Sequence, residues 1–141
     1  MGKLTTVYKS PMLFETQVGD HKIIMDVPPQ MGGSNRGPTP PQVFIASLGS
    51  CIAAFVANYC ENHKINVTDL SVDITFDKVD NPARLTNLKA MVYLPHATCD
   101  KREAAIRKVA EHCPVHETIH TMGEFEIEIL DQVALGEREI M

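Results

Sequence analysis

The sequence predicts an α+β fold of order βββ-α-ββ-α-β, with mainly antiparallel sheets and two helices. Three observations carry that reading: a long uncharged helical stretch after Thr39, two-residue hydrophobic alternation on both sides of it, and a second amphipathic helix beginning near Asp100. Lys3 to Lys9, Met12 to Val18 and His21 to Val27 read as short strands in a meander. Gly19-Asp20 joins the last two as a two-residue loop suited to a type II′ turn. Pro28 to Pro38 is rich in proline and glycine, so it is expected to be a loop without regular structure of its own.

The central helix follows directly. Thr39 is an N-cap, Pro40 and Pro41 fit the first turn where no amide donor is needed, and Gln42 completes a Thr-x-x-Gln capping box. Val43 to Ala57 carries no charge, so the helix should be wrapped by protein on all sides; the run is shorter than the ~20 residues that a bilayer span needs. Ala46, Gly49 or Ser50, Ala53 and Ala57 make one face smooth, and Phe44, Leu48, Ile52, Phe55 and Val56 cover the rest. A smooth stripe lets another helix or a ligand come close.

After the helix ends near His63, Leu70, Val72, Ile74 and Phe76 alternate with polar residues in the cleanest strand of the chain. Asp80-Asn81-Pro82 turns it into a second strand through Leu88, Ala90, Val92 and Leu94, stopped by Pro95. Asp100 and Glu103 start the second helix, with Ile106, Val109, Ala110 and Cys113 on one face and Pro114 breaking it. A short helical piece is expected next, then a final strand in which Phe125, Ile127 and Ile129 alternate with Glu124, Glu126 and Glu128.

With 141 residues the chain is expected to be a single domain, residues 1-141, able to bury its own core. A net charge of -5 without a Lys/Arg cluster argues against nucleic acid and anionic membrane as partners. The N-terminal residues show neither a secretory nor a lipidation pattern, which points to the cytoplasm. Four cysteines at 51, 60, 99 and 113 have no Cys-x-x-Cys pairing, so a disulfide between them in a reducing compartment would be functional rather than structural.

Cys51 and Cys113 stand on two different helices at apolar positions. One thiolate can attack a peroxide and become a sulfenic acid, which a second thiol resolves as a disulfide. The competing reading is that free cysteine is a small buried hydrophobe, and it suits Cys60 and Cys99 better. Arg36, the sole arginine before position 84, is the candidate substrate-positioning cation, against the plain alternative of a solvated loop residue. His116-Glu117-Thr118-Ile119-His120 matches His-Glu-x-x-His, with His112 and Cys113 as further potential metal ligands. Pro114 and the short stretch before Gly123 leave little helix for such a site, and no metal or other cofactor is expected.

Gly-Pro-Thr-Pro-Pro-Gln-Val-Phe-Ile-Ala-Ser-Leu-Gly-Ser-Cys, then a strand hairpin, then a helix ending in His-Cys-Pro-Val, resembles the OsmC/Ohr family of osmotically induced and organic hydroperoxide resistance proteins. The resemblance covers roughly Val18 to Leu130. It implies an intertwined homodimer with the central helices packed together, and reduction of organic hydroperoxides with Cys51 as peroxidatic and Cys113 as resolving residue. A lipoyl-type or thioredoxin-type dithiol would restore both thiols. Two positions depart from the family's peroxidases: Pro41 stands where they carry a glutamate, and the N-terminal strands hold no arginine. Loss of both groups is what a non-catalytic alternative predicts, a dimer binding a small hydrophobic molecule in an apolar cleft beside Cys51.

Overall fold

The computed structural model describes residues 1–140 and has two antiparallel sheets and four α-helices. Strands β1 (Thr5–Tyr8), β2 (Phe14–Val18) and β3 (His21–Met25) form one sheet in chain order. Val18 pairs with His21 across the Gly19-Asp20 turn, and Gly19 takes φ 59° as the first position of a type II′ turn requires. Helix α1 (Pro40–Asn62) leads to the second sheet, β4 (Ser71–Val79) and β5 (Arg84–Tyr93). The pairing steps from Thr75↔Lys89 to Asp77↔Thr86, a bulge at which Asn87 adopts φ 54° and donates to the Asp77 carboxylate at 2.8 Å.

The ends of α1 follow from its sequence. Gln42 N–H donates to Thr39 Oγ1 at 3.4 Å and Thr39 N–H to Gln42 Oε1 at 2.9 Å, which is the expected capping box. At the other end Lys64 turns left-handed at φ 57°; its N–H bonds the Glu61 carbonyl, and Ile65 N–H bonds the Cys60 carbonyl at 2.8 Å. This Schellman pattern satisfies two of the last carbonyls and folds Ile65 back over Cys60.

Four residues of α1 spaced one turn apart, Leu48, Ile52, Val56 and Cys60, are buried together with Ile106 and Cys113. β4, α2 (Glu103–Glu111) and α3 (Pro114–Thr121) supply most of the covering surface, with Val72, Ile74 and Ile119 packed against the cluster. At 23 residues α1 is long and apolar enough by length and composition to cross a membrane, yet this buried row makes it the core helix of the fold. The expectation that it is wrapped all round is corrected, because Phe44 and Phe55 stay exposed. No residue of the β1–β3 sheet joins the buried cluster among the described residues, so that sheet leaves the opposite face of the helix open.

A short 3-10 turn at Asp100–Arg102 leads into α2, the helical run breaks before Pro114 as expected, and the short helix that follows is α3, with Pro114 at its first position and Cys113 as its cap. Two further expectations change. The final strand through Phe125, Ile127 and Ile129 is not formed. Those residues are 77%, 78% and 85% exposed and pair with neither sheet. A fourth helix, α4 (Gln132–Ile140), follows instead; Asp131 accepts from Ala134 N–H at 2.9 Å and starts it.

Replacing Thr39 by Ala removes the acceptor of the capping box and should lower the unfolding free energy by about 1 kcal/mol. A urea unfolding curve checks this, and an unchanged midpoint would show that Pro40 and Pro41 define the helix start without the cap.

Candidate functional site

Cys51 lies mid-way along α1 and is half-buried against the cluster that contains Cys113. The Cys113 thiol is fully buried at the start of α3, where backbone φ -68° and ψ 146° hold it outside the helix proper. Its Sγ accepts from His116 N–H at 3.4 Å, as an N-capping side chain does. Pro114, at the position where no amide donor is needed, makes that geometry available.

Cys51 packs against the buried cluster to which Cys113 belongs, and both are free thiols. Burial pushes the Cys113 thiol up from its ordinary value, and Cys51 pushes it in the same direction; the amides of His116 and Val115 oppose them. Cys113 is therefore a neutral thiol at physiological pH, while the more accessible Cys51 faces the outside of the pair. A half-buried thiol next to a buried, protonated one can form a sulfenic acid at the first and a disulfide with the second.

Arg36 lies in a clamp. Its Nε–H donates to Asp26 Oδ2 at 2.8 Å, its backbone N–H to the same oxygen at 3.0 Å, and an Nη2–H to the Pro11 carbonyl at 2.7 Å. Asp26 is fully buried at the end of β3 and also accepts from the amides of Val27 and Ser34. The Arg36 guanidinium holds the Asp26 carboxyl far below the usual carboxylate range, reinforced by those amides against the opposing effect of burial. The Pro28–Pro38 loop is thus more ordered than its composition suggests; it includes a 3-10 turn at Pro29–Met31 and wraps the carboxylate. A Cβ on Gly33 would overlap the Val27 carbonyl oxygen and the Asp26 carboxylate, so only glycine lets the chain pass so close.

Asp26 went unnoticed at the sequence level. The signal was present: an acid at the end of the apolar run Ile23-Ile24-Met25, ten residues before the region's only arginine.

The His-Glu-x-x-His string does not assemble as a metal site. His112 Nδ1 bonds the Glu117 carboxylate at 2.9 Å, His116 Nδ1 bonds the Glu111 carbonyl, and the rings of His116 and His120 stand 6.2 Å apart. Among the described residues no three His, Cys, Asp or Glu side chains converge as a closed metal site would require.

Beside the core an apolar cleft of about 680 Å³ opens between α1, β5, α2 and α3. Leu48, Ile52, Ile74, Val92, Ile106 and Ile119 line its interior, and charged side chains such as Lys89 and Arg107 also border it.

The OsmC-like protein family model matches residues 32–128. No curated protein sequence matches the chain. Among solved structures, a Psychrobacter arcticus protein named for osmotic stress induction and detoxification response superposes with TM-score 0.75 at 20% identity, covering 86% of this chain and 90% of that one. An OsmC-like protein from Mycoplasma pneumoniae gives TM-score 0.67 at 21% identity, covering 85% of this chain and 87% of its own. An organic hydroperoxide resistance protein from Legionella pneumophila gives 0.60 at 17% identity, covering 86% and 91%. These likenesses establish a shared fold.

The clamp has a pH signature. Because the native Asp26 pKa lies below its ordinary 3.8, the stabilisation it provides is complete above that value and is lost as pH falls below it. Asp26→Asn should therefore be less stable than the parent at pH 7, and should lose less stability between pH 4 and pH 3. Urea midpoints at the two pH values check this; parallel curves for the two proteins would remove Asp26 from the acid response.

Proposed function

The chain belongs to the OsmC-like family, and from that premise we propose that it is a cytoplasmic thiol-dependent peroxidase that reduces organic hydroperoxides. The observation that carries the proposal is the juxtaposition of the Cys51 and Cys113 thiols from two separate helices. Cys51, as thiolate, attacks the terminal peroxide oxygen; the O–O bond breaks, the alkoxide takes a proton and leaves as an alcohol, and Cys51 becomes a sulfenic acid. The Cys113 sulfur then attacks the Cys51 sulfur, water leaves, and a disulfide closes. Two electrons have passed from the thiols to the peroxide. A dithiol of the lipoyl or thioredoxin type returns them by exchange.

Arg36 enters this mechanism as a substrate-positioning residue acting through the loop. Its clamp on Asp26 and Pro11 fixes the segment leading into the Thr39 cap, and so the start of the helix that carries Cys51.

The functional unit in this reading is a homodimer. One chain leaves Phe44 and Phe55 of α1 exposed and the apolar side of the Phe125–Ile129 stretch without a strand partner. A second copy can pair that stretch and cover the exposed side of the helix, where Ser47 and Ala54 lie beside the two phenylalanines.

The apolar cleft favours a second reading, a binding protein for a small hydrophobic molecule whose cysteines serve as packing. The two readings differ in whether the thiols turn over.

One equivalent of cumene hydroperoxide should remove two free thiols and link Cys51 to Cys113. Cys51→Ser should abolish turnover through this pair. Cys113→Ser should give one turnover and a sulfenic acid that dimedone traps. Four unreacted thiols would turn the assignment to the binding protein, and full activity in Cys51→Ser would place the nucleophile elsewhere. Light scattering should give twice the chain mass, and Ile127→Lys should shift the mass toward the single chain; a parent of single-chain mass would overturn the dimer.

A further inference from the structure

The other two cysteines share the core as well: Cys60 belongs to the buried cluster and Cys99 packs against it. Cys60 is fully buried in the last turn of α1, and Cys99 is half-buried in the turn that leads to α2. Several contacts bracket them. Ile65, bonded back to the Cys60 carbonyl by the Schellman turn, lines one surface depression together with Cys99. Tyr59, the neighbour of Cys60, accepts from Arg102 Nη1–H at 3.1 Å, and Arg102 N–H bonds the Cys99 carbonyl at 2.8 Å. The turn carrying Cys99 is thereby pinned to the end of the helix carrying Cys60. Burial pushes the Cys60 thiol up, and the charge of Cys99 pushes it further in the same direction.

Cys99 has a second exposure. It lines the 680 Å³ apolar cleft, whereas Cys51 and Cys113 do not. The arrangement therefore repeats that of the first pair: one buried thiol on or beside the core, and one half-buried thiol reachable from outside.

We propose that Cys60 and Cys99 are a second redox pair, at which an organic hydroperoxide seated in the apolar cleft is reduced by Cys99 and the resulting sulfenic acid is resolved by Cys60. The Cys99 thiolate attacks the terminal peroxide oxygen, the O–O bond breaks, and the alkoxide leaves as an alcohol with a proton from solvent. The Cys60 sulfur attacks the Cys99 sulfur, its proton passes to the departing hydroxide, and the S–S bond forms as water leaves. One hydroperoxide and two thiols become one alcohol, one water and one disulfide. The apolar lining favours organic hydroperoxides over hydrogen peroxide, because the cleft takes up an alkyl group that water would otherwise have to solvate. The cross-link would join the end of α1 to the turn before α2, in a region that the first pair does not touch.

The pair is tested in a Cys51→Ser/Cys113→Ser variant, which retains only Cys60 and Cys99, so the result is independent of whether the first pair turns over. Excess cumene hydroperoxide should remove both remaining thiols and lower the intact mass by two hydrogens, with hydrogen peroxide acting more slowly. Should that variant fail to fold, the parent chain is oxidised and digested with chymotrypsin and trypsin, whose cleavages after Phe55 and Lys101 separate Cys51 from Cys60 and Cys99 from Cys113. A linked peptide pair containing Cys60 and Cys99 supports the proposal. In Cys60→Ser, dimedone should add to Cys99. Two free thiols after an exposure that oxidises the first pair, equal rates with the two peroxides, oxidation of Cys99 without a link to Cys60, or a link joining Cys99 of two chains would each overturn it.

Discussion

Burial of one face of α1 is the constraint on which the rest of the structure depends. Leu48, Ile52, Val56 and Cys60 recur one turn apart and form the row onto which β4, α2 and α3 pack. Apolar burial of this kind is the main favourable term in folding, and here it also sets the chemistry. Two of the buried positions are thiols, Cys60 and Cys113, and removal from water raises both above their ordinary values. Each stands with a half-buried thiol that remains reachable, Cys99 for one and Cys51 for the other. The core thus distinguishes the cysteines by place: Cys60 and Cys113 lie inside it, whereas Cys51 and Cys99 are half-buried at its margin.

The Asp26–Arg36 clamp shows how a loop of proline and glycine becomes rigid without regular structure. Four backbone and side-chain donors converge on one buried carboxylate, and the chain approaches so closely at Gly33 that a methyl group would not fit. The charge is acceptable in that setting because it is paired and hydrogen-bonded; unpaired, its desolvation would be unfavourable. The guanidinium that the clamp uses is also the only arginine of the N-terminal third. Its engagement with Asp26 and Pro11 makes it an anchor for the entry to α1.

The exposed side of the molecule carries the mark of an unfinished core. Phe125, Ile127 and Ile129 alternate with glutamates as a half-buried strand would, yet they face solvent in one chain. Phe44 and Phe55 leave α1 in the same condition. Apolar residues arranged at strand and helix periods are informative where they stay exposed together, because scattered exposure would show no period. The proposed dimer, in which a second copy would pair the strand and cover the helix, would account for both.

The sequence by itself determined the elements whose signals are local. The capping box at Thr39 and Gln42 closes within four residues, the Gly19-Asp20 turn within two, and the β4–β5 alternation within one strand, so each was legible before any contact was known. The Cys51 motif was legible as a family resemblance, which the match over residues 32–128 bears out. Tertiary structure decided what depends on distant partners. Cys113 caps the short helix that Pro114 begins after the break, and α4 is a further helix started by Asp131. The strand signal at Phe125 to Ile129 was genuine, but an edge strand forms only where an unpaired edge meets it, and alternation says nothing of where that edge lies. Likewise, the union of Asp26 with Arg36 joins a strand end to a loop ten residues on, a closure that no local pattern encodes.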